Sequence, residues 1–115
     1  MSYQSHYAAR EPLRSEVDRR PGMLVLEFGA PWCGHCHDAQ PLLRALLAEH
    51  PDALHLKVED GKGRPLGRSF GVTLWPTVIA VEQGEELARV VRPAARADLH
   101  PLDAALAAHA EPPAR

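Results

Sequence analysis

Runs of mainly apolar residues predict three β-strands. Residues 23–28 are apolar except for one acid and are bounded by turn residues, which is typical of a parallel strand covered on both faces. Residues 77–81 form a second run, which a glycine-containing turn connects to a third run over residues 87–91. This arrangement predicts a β-hairpin.

A fourth strand is predicted over residues 54–59, where apolar and polar residues alternate. Because successive side chains of a strand point to opposite faces of the sheet, we expect one apolar face and one polar face. The apolar face carries Leu54, Leu56 and Val58, and the polar face carries His55, Lys57 and Glu59.

Leucines spaced three and four residues apart predict the helices. The longest begins at Cys33 and ends before Pro51, and shorter ones follow Pro12, span residues 65–70 and cover residues 99–106. The elements alternate between strand and helix, and strand crossovers are right-handed. We therefore predict an α/β fold, a three-layer α/β/α sandwich around a mixed sheet of four or five strands.

Length and charge narrow the class of protein. At 115 residues the chain is expected to be one domain, with a core over about residues 12–109 and a disordered tail over residues 110–115. Lysine and arginine total 13 against 15 for aspartate and glutamate, which gives no basic field for nucleic acid. No apolar run is long enough to enter a membrane, and residues 1–11 carry no export signal. We expect a cytoplasmic monomer.

The cysteines carry the reactive chemistry. The chain has 2 cysteines, Cys33 and Cys36, where the first strand leads into the longest helix. They cannot supply the disulfide framework of a small secreted domain, so they serve reactivity or metal binding. Unpaired N–H groups and the dipole at a helix N-terminus stabilise a thiolate. We expect Cys33 to be the exposed nucleophile that attacks a client disulfide, Cys36 to resolve the mixed disulfide, and His35 to add positive charge.

Three other interpretations of these residues stay open at this point. Residues 33–37 match the Cys-x-x-Cys-His pattern of c-type haem attachment, although the chain has no export signal and only 2 methionines. The two cysteines with His35 or His37 form part of a zinc ligand set, although a second ligand pair is missing. Inert, buried cysteines are the third interpretation. The histidines that show no ligand spacing to one another, and are expected at the surface, are His37, His50, His55, His100 and His109.

The segment around the cysteines resembles a known family. Residues 28–36, Phe-Gly-Ala-Pro-Trp-Cys-Gly-His-Cys, resemble the active-site segment of the thioredoxin superfamily, in the form typical of protein disulfide isomerase domains. Residues 71–72 and 75–77 resemble the family's Gly-Val and Pro-Thr element, and the likeness covers about residues 23–106. It implies a thiol-disulfide oxidoreductase that needs no cofactor beyond a redox-active Cys33-Cys36 disulfide. Its partners would be disulfide-containing client proteins and a reductase or low-molecular-weight thiol as electron donor.

The resemblance also implies roles for residues around the pair. Pro76 would be the family's cis-proline facing the cysteines, with the Trp75 backbone pairing an extended client segment. Glu27 would be the buried acid that exchanges the proton of Cys36 through water, and Lys57 the basic residue facing this acid. The open alternatives are an ordinary trans proline at position 76, and a solvated strand end and a solvated lysine at positions 27 and 57.

Two further residues are assigned to client contact. Trp32 is expected to cover the motif as a lid, with core packing as its alternative role. Arg92 stands where relatives usually have glycine, so we expect it to restrict access or to select acidic peptides, unless it is a solvated loop residue.

The direction of electron flow is less constrained by the sequence. The missing export signal favours a reductase in a reducing cytoplasm, whereas the Gly-His spacer favours a more oxidising couple suited to isomerisation. We expect a reductase with exchange activity. The alternative function is a redox-independent, chaperone-like module that uses the same fold to bind clients.

Overall fold

The computed structural model describes residues 3–109 and contains each predicted helix and strand. In chain order the elements are α1 (Arg14–Arg19), β1 (Met23–Gly29), α2 (Gly34–Ala48), β2 (Leu54–Glu59), α3 (Pro65–Ser69), β3 (Thr77–Glu82), β4 (Glu85–Val91) and α4 (His100–Ala108). A short 3-10 turn leads into α4. The tail predicted over residues 110–115 lies outside the described residues.

The strands form one mixed sheet in the order β2-β1-β3-β4. Strand β1 runs parallel to β2 and antiparallel to β3, and β3 and β4 form the predicted hairpin. Residues 24–29 of β1 are all buried, because this strand lies between two others and is covered on both faces. The predicted α/β sandwich is confirmed, with four strands.

Apolar side chains fill both sides of the sheet. On one side, α2 and α4 pack against Val25 and Val78 through residues such as Leu43 and Leu102. On the other side, Phe28 and the neighbouring strands pack against α1 and α3. A fully buried leucine contributes about 1.5–3 kcal/mol, so the buried leucines of α2 in the first of these layers fix the cysteine helix against β1.

Strand β2 buries the face that was expected to be polar and solvated. His55 and Lys57 are 1% and 5% exposed, whereas Leu54 and Leu56 are only half-buried. The polar face of this edge strand is covered by α2 and by the chain before α1, so its side chains are enclosed. The expectation that His55 lies at the surface is therefore wrong, and so is the alternative that Lys57 is solvated.

The chain before α1 packs onto the rest of the domain. The Ala8 N–H donates to the Lys57 carbonyl at 2.8 Å, and the Tyr3 ring stacks on His55 with centroids 5.4 Å apart. Residues 3–8, here called the N-terminal arm, thus make core contacts ahead of the predicted start at residue 12. Among the helices of residues 3–109, none has the length and apolar character needed to cross a membrane.

Candidate active site

The cysteine pair lies where β1 turns into α2. Cys33 is the N-cap of α2, and its sulfur accepts a hydrogen bond from the Cys36 N–H at 3.2 Å. The Cys33 N–H donates to the Ala30 carbonyl at 3.1 Å, which fixes the turn before the helix. The first sulfur therefore lies at the positive end of the helix dipole, where backbone N–H groups stabilise a thiolate.

The two sulfurs have different surroundings although both thiols are free. Cys33 is 8% exposed and Cys36 is 1% exposed. Burial raises the pKa of Cys36 to about 12, and its hydrogen bond to Cys33 acts in the same direction. Cys33 is thus the more accessible of the two cysteines. The expectation that it is exposed is nevertheless wrong, because Ala30 and Trp75 pack against the cysteine pair.

Gly29, the last residue of β1, provides the space for the second sulfur. A Cβ atom at this position would lie 2.5 Å from the Cys36 sulfur and 3.2 Å from the Tyr7 hydroxyl. Real side chains do not approach so closely, so an alanine here would displace one of these two groups. The absence of a side chain at position 29 allows Cys36 to fit beneath the turn.

Glu27 lies on β1 with none of its surface exposed. Its Oε1 pairs with His55 Nε2 at 2.8 Å, and its Oε2 accepts a hydrogen bond from Gln40 Nε2 at 2.8 Å. Lys57 Nζ lies 4.0 Å from the same Oε2. The solvated alternative for Glu27 is therefore wrong, and the acid is enclosed among donors from α2 and β2.

The arm determines which nitrogen of His55 carries the proton. The Gln4 N–H donates to His55 Nδ1 at 2.8 Å, so Nδ1 acts as an acceptor. In neutral His55 the proton is then on Nε2, which donates to Glu27. The histidine thus connects the arm to the buried acid.

Gln40 links the acid to the cysteine helix. Its Nε2 donates to the Cys36 carbonyl at 2.8 Å as well as to Glu27. Its Oε1 accepts hydrogen bonds from Lys57 Nζ at 3.2 Å and from the Tyr3 hydroxyl at 2.7 Å. One side chain therefore fixes the distance between α2, β2 and the arm.

The opposite side of the pair presents tryptophans. The Trp75-Pro76 peptide bond is cis, so the alternative of an ordinary trans proline is wrong. Trp75 Nε1 donates to Asp60 Oδ2 at 2.8 Å, and its ring meets Trp32 edge-on with centroids 5.4 Å apart. Trp32 is 76% exposed, so its alternative role in core packing is wrong. The two tryptophan rings together form an apolar surface beside Cys33.

Arg92 contacts the backbone on either side of the cis bond. Its φ angle is +50°, in the region that favours glycine. Its N–H donates to the Pro76 carbonyl at 2.8 Å, and its Nε donates to the Trp75 carbonyl at 2.8 Å. Arg92 is exposed in the loop after β4, as the alternative of a solvated loop arginine has it, and its side chain also occupies the carbonyl of Trp75.

The histidines of the motif lie outside this network. His35 is exposed on the first turn of α2, and His37 Nε2 lies 2.6 Å from the Pro31 carbonyl. Within residues 3–109, no three His, Cys, Asp or Glu side chains are grouped so as to hold a metal ion. His50 pairs with Asp103, and His100 and His109 are exposed as expected.

The thioredoxin family model matches residues 5–102. This chain belongs to the thioredoxin family. Over 92% of its length it is 47% identical to reduced thioredoxin 2 of Pseudomonas aeruginosa PAO1, of which it covers 99% with a TM-score of 0.81. It is 41% identical to a thioredoxin of Chlamydia muridarum over 61% of this chain, and 29% identical to Thioredoxin H2 of Arabidopsis thaliana over 67%. These matches span 69% and 58% of those two relatives.

Membership of the thioredoxin family assigns the chemistry of the pair. Proteins of this family are disulfide oxidoreductases, and this chain has two free thiols, one at a helix N-terminus and one enclosed behind it. The Cys33-Cys36 pair is therefore a thiol-disulfide oxidoreductase centre.

Three residues of this thioredoxin-type site were not assigned to it from the sequence. Gln40 follows Cys36 by one helical turn, so the spacing of these two residues on α2 could have placed Gln40 at the site. In the pairing of β1 with β2, His55 lies opposite Val25 and Lys57 lies opposite Glu27. This register, had it been predicted, would have placed His55 on the same face of the sheet as Glu27. Tyr7 belongs to the arm, whose sequence gives no such signal.

Proposed function

We propose that this protein is a reductase with exchange activity that transfers electrons from the Cys33-Cys36 dithiol to disulfides of client proteins. The unequal surroundings of the two sulfurs support this proposal. The Cys33 thiolate attacks one sulfur of the client disulfide and releases the other as a thiol. Cys36 then loses its proton and attacks Cys33, which closes the protein disulfide and frees the second client sulfur. Two electrons pass to the client.

In this proposal Glu27 accepts the proton of Cys36. The pKa of that thiol is raised by burial, so a base close to it is needed before it can attack. Glu27 is the buried carboxylate of the network, and its charge is one of the influences on Cys36. Lys57 and His55 hold this carboxylate in place, as ion-pair partner and hydrogen-bond donor.

The Gly34-His35 spacer is the form typical of protein disulfide isomerase domains, and it underlies the exchange activity in the proposal. Positive charge on His35 would stabilise the reduced form and make the disulfide a stronger oxidant. We propose a cytoplasmic location, because both cysteines of the chain belong to the pair and none is left for a structural disulfide. A reductase or low-molecular-weight thiol would restore the dithiol.

Client segments are proposed to bind across Trp32, Trp75 and Pro76. The exposed ring of Trp32 offers apolar area, and the backbone beside Pro76 offers hydrogen bonds to an extended chain. Arg92 occupies the Trp75 carbonyl, so an extended client that uses this acceptor must first displace the guanidinium. Arg92 would thereby restrict neutral clients and favour those whose acidic side chains engage it.

The cysteine variants test the function directly. We expect Cys33→Ser to abolish reduction of insulin disulfides with dithiothreitol as donor, and the double variant Cys33→Ser/Cys36→Ser to be equally inactive. Turbidity of the released insulin chain measures this, and suppression of aggregation of an unfolded protein is measured in parallel. Reduction by the double variant would contradict the proposal. If the wild type does not reduce insulin, and the wild type and the double variant both strongly suppress aggregation, the client-binding module would be favoured.

Replacing the buried acid separates attack from resolution. With 5,5′-dithiobis(2-nitrobenzoate), Cys33 attack releases a first nitrothiobenzoate and Cys36 ring closure releases a second. Stopped-flow absorbance should show the second phase slowed about tenfold or more in Glu27→Gln, and the first phase unchanged, because only resolution needs the base. Glu85→Gln, on an exposed residue, is the matched control. An unchanged second phase would remove Glu27 from the mechanism.

Arg92 is tested with peptides of different charge. Arg92→Gly keeps the positive φ angle without strain and frees the Trp75 carbonyl, so kcat/KM for a neutral peptide disulfide should rise about three- to tenfold. For an acidic peptide disulfide, kcat/KM of Arg92→Gly should not rise above that of the wild type. The exposed Arg20→Ala variant serves as the control. A lower kcat/KM for the neutral peptide would show that Arg92 assists clients of every charge.

A further inference from the structure

The N-terminal arm brings a phenol to the enclosed sulfur. The half-buried Tyr7 places its hydroxyl beside the Cys36 sulfur. Gly29 makes this contact possible, since the sulfur and the hydroxyl lie 2.5 and 3.2 Å from the same empty Cβ position. A residue distant in sequence therefore lies beside one of the two sulfurs that form the protein disulfide.

The arm holds Tyr7 in a defined place. Lys57 Nζ lies 4.7 Å from the centre of the Tyr7 ring, and the adjoining Ala8 N–H donates to the Lys57 carbonyl. Lys57 Nζ also donates to the Ser5 carbonyl at 3.4 Å, and the Gln4 N–H donates to His55. Contacts on both sides of position 7 thus fix the phenol against β2.

Tyr7, Cys36, Gln40 and Lys57 line one cavity beneath the active-site turn. Ionisable groups around the sulfur come from each element that packs there. On the strands they are Glu27 of β1 and His55 and Lys57 of β2. Cys33 precedes α2, His37 lies on it, and the arm contributes Tyr3, His6 and Tyr7.

We propose that Tyr7 is a catalytic residue of the resolution step, donating a hydrogen bond to the Cys36 sulfur as that sulfur becomes negatively charged. This inference rests on the proposed function. The proton of Cys36 passes to Glu27, the sulfur attacks Cys33, the Cys33-Cys36 bond forms and the bond from Cys33 to the client breaks. Tyr7 keeps its own proton throughout and transfers nothing.

The chemistry of the phenol suits this role. Burial raises the pKa of Tyr7, and the nearby charges of Cys36 and Glu27 raise it further, so the hydroxyl remains a donor. A hydrogen bond to a charged acceptor is stronger than one to a neutral acceptor, so the contact strengthens when Cys36 loses its proton. Such a contact lowers the barrier because it favours the reacting state over the resting thiol.

The test compares Tyr7→Phe with Tyr3→Phe in the two-phase nitrothiobenzoate assay across a pH series. Both variants lose one hydroxyl from the same arm, but the Tyr3 hydroxyl donates to Gln40. In Tyr7→Phe the second phase should slow about tenfold, its pH midpoint should rise by about one unit, and the first phase should be unchanged. Tyr3→Phe should shift the midpoint less than Tyr7→Phe, because the Tyr3 hydroxyl reaches the site only through Gln40, and an equal shift in both variants would overturn the direct role of Tyr7.

Other outcomes separate the possible failures. A second phase in Tyr7→Phe with wild-type rate and midpoint would overturn the role of Tyr7 and leave the proposed function intact. A wild-type protein that releases only one nitrothiobenzoate would overturn both. Should Tyr7→Phe fail to fold, fluorotyrosine is introduced in the Tyr3→Phe background, where Tyr7 is the single tyrosine left. This stronger donor should lower the midpoint of the second phase, and an unchanged midpoint would overturn the proposal.

Discussion

A buried carboxylate and an enclosed thiol share the space beneath the active-site turn, and the buried polar side chains of His55 and Lys57 are arranged around the carboxylate. Glu27 would be costly to bury alone, since removing one partner of a buried ion pair costs about 3–5 kcal/mol. Its donors come from Gln40 on α2 and from His55 and Lys57 on β2. The register of β2, the position of α2 and the docking of the N-terminal arm are therefore coupled to one side chain.

This arrangement gives the two cysteines different tasks. Cys33 lies at a helix N-terminus and retains some exposed surface, whereas Cys36 is enclosed by Gly29 and Tyr7. The first sulfur is available to a client and the second is reached only from within the site. Trp32 and Arg92 are the proposed client contacts and Glu27 is the proposed base, so in this proposal client recognition and proton transfer use different residues around the pair.

Features determined by residues close together in the sequence could be predicted from it, whereas features determined by contacts between distant segments could not. Strand β1 and helix α2 were predicted because hydrophobic spacing and turn residues are local signals. The motif likewise predicted Cys33 at a helix start, and the family resemblance implied a buried acid at Glu27 beneath Cys36. The burial of His55 was missed because the arm covers the edge strand, a long-range contact that alternation cannot show. The contact of Arg92 with the backbone at Trp75 depends on a turn that the sequence leaves unspecified.

Alkylation of the reduced protein shows whether the two sulfurs divide the work as proposed. Iodoacetamide at about pH 7 reacts with thiolates, and peptide mass spectrometry identifies the modified cysteine. We expect one carbamidomethyl group to appear on Cys33 while Cys36 stays unmodified in the folded protein. Modification of Cys36 first, or of both cysteines at the same rate, would contradict this division of work.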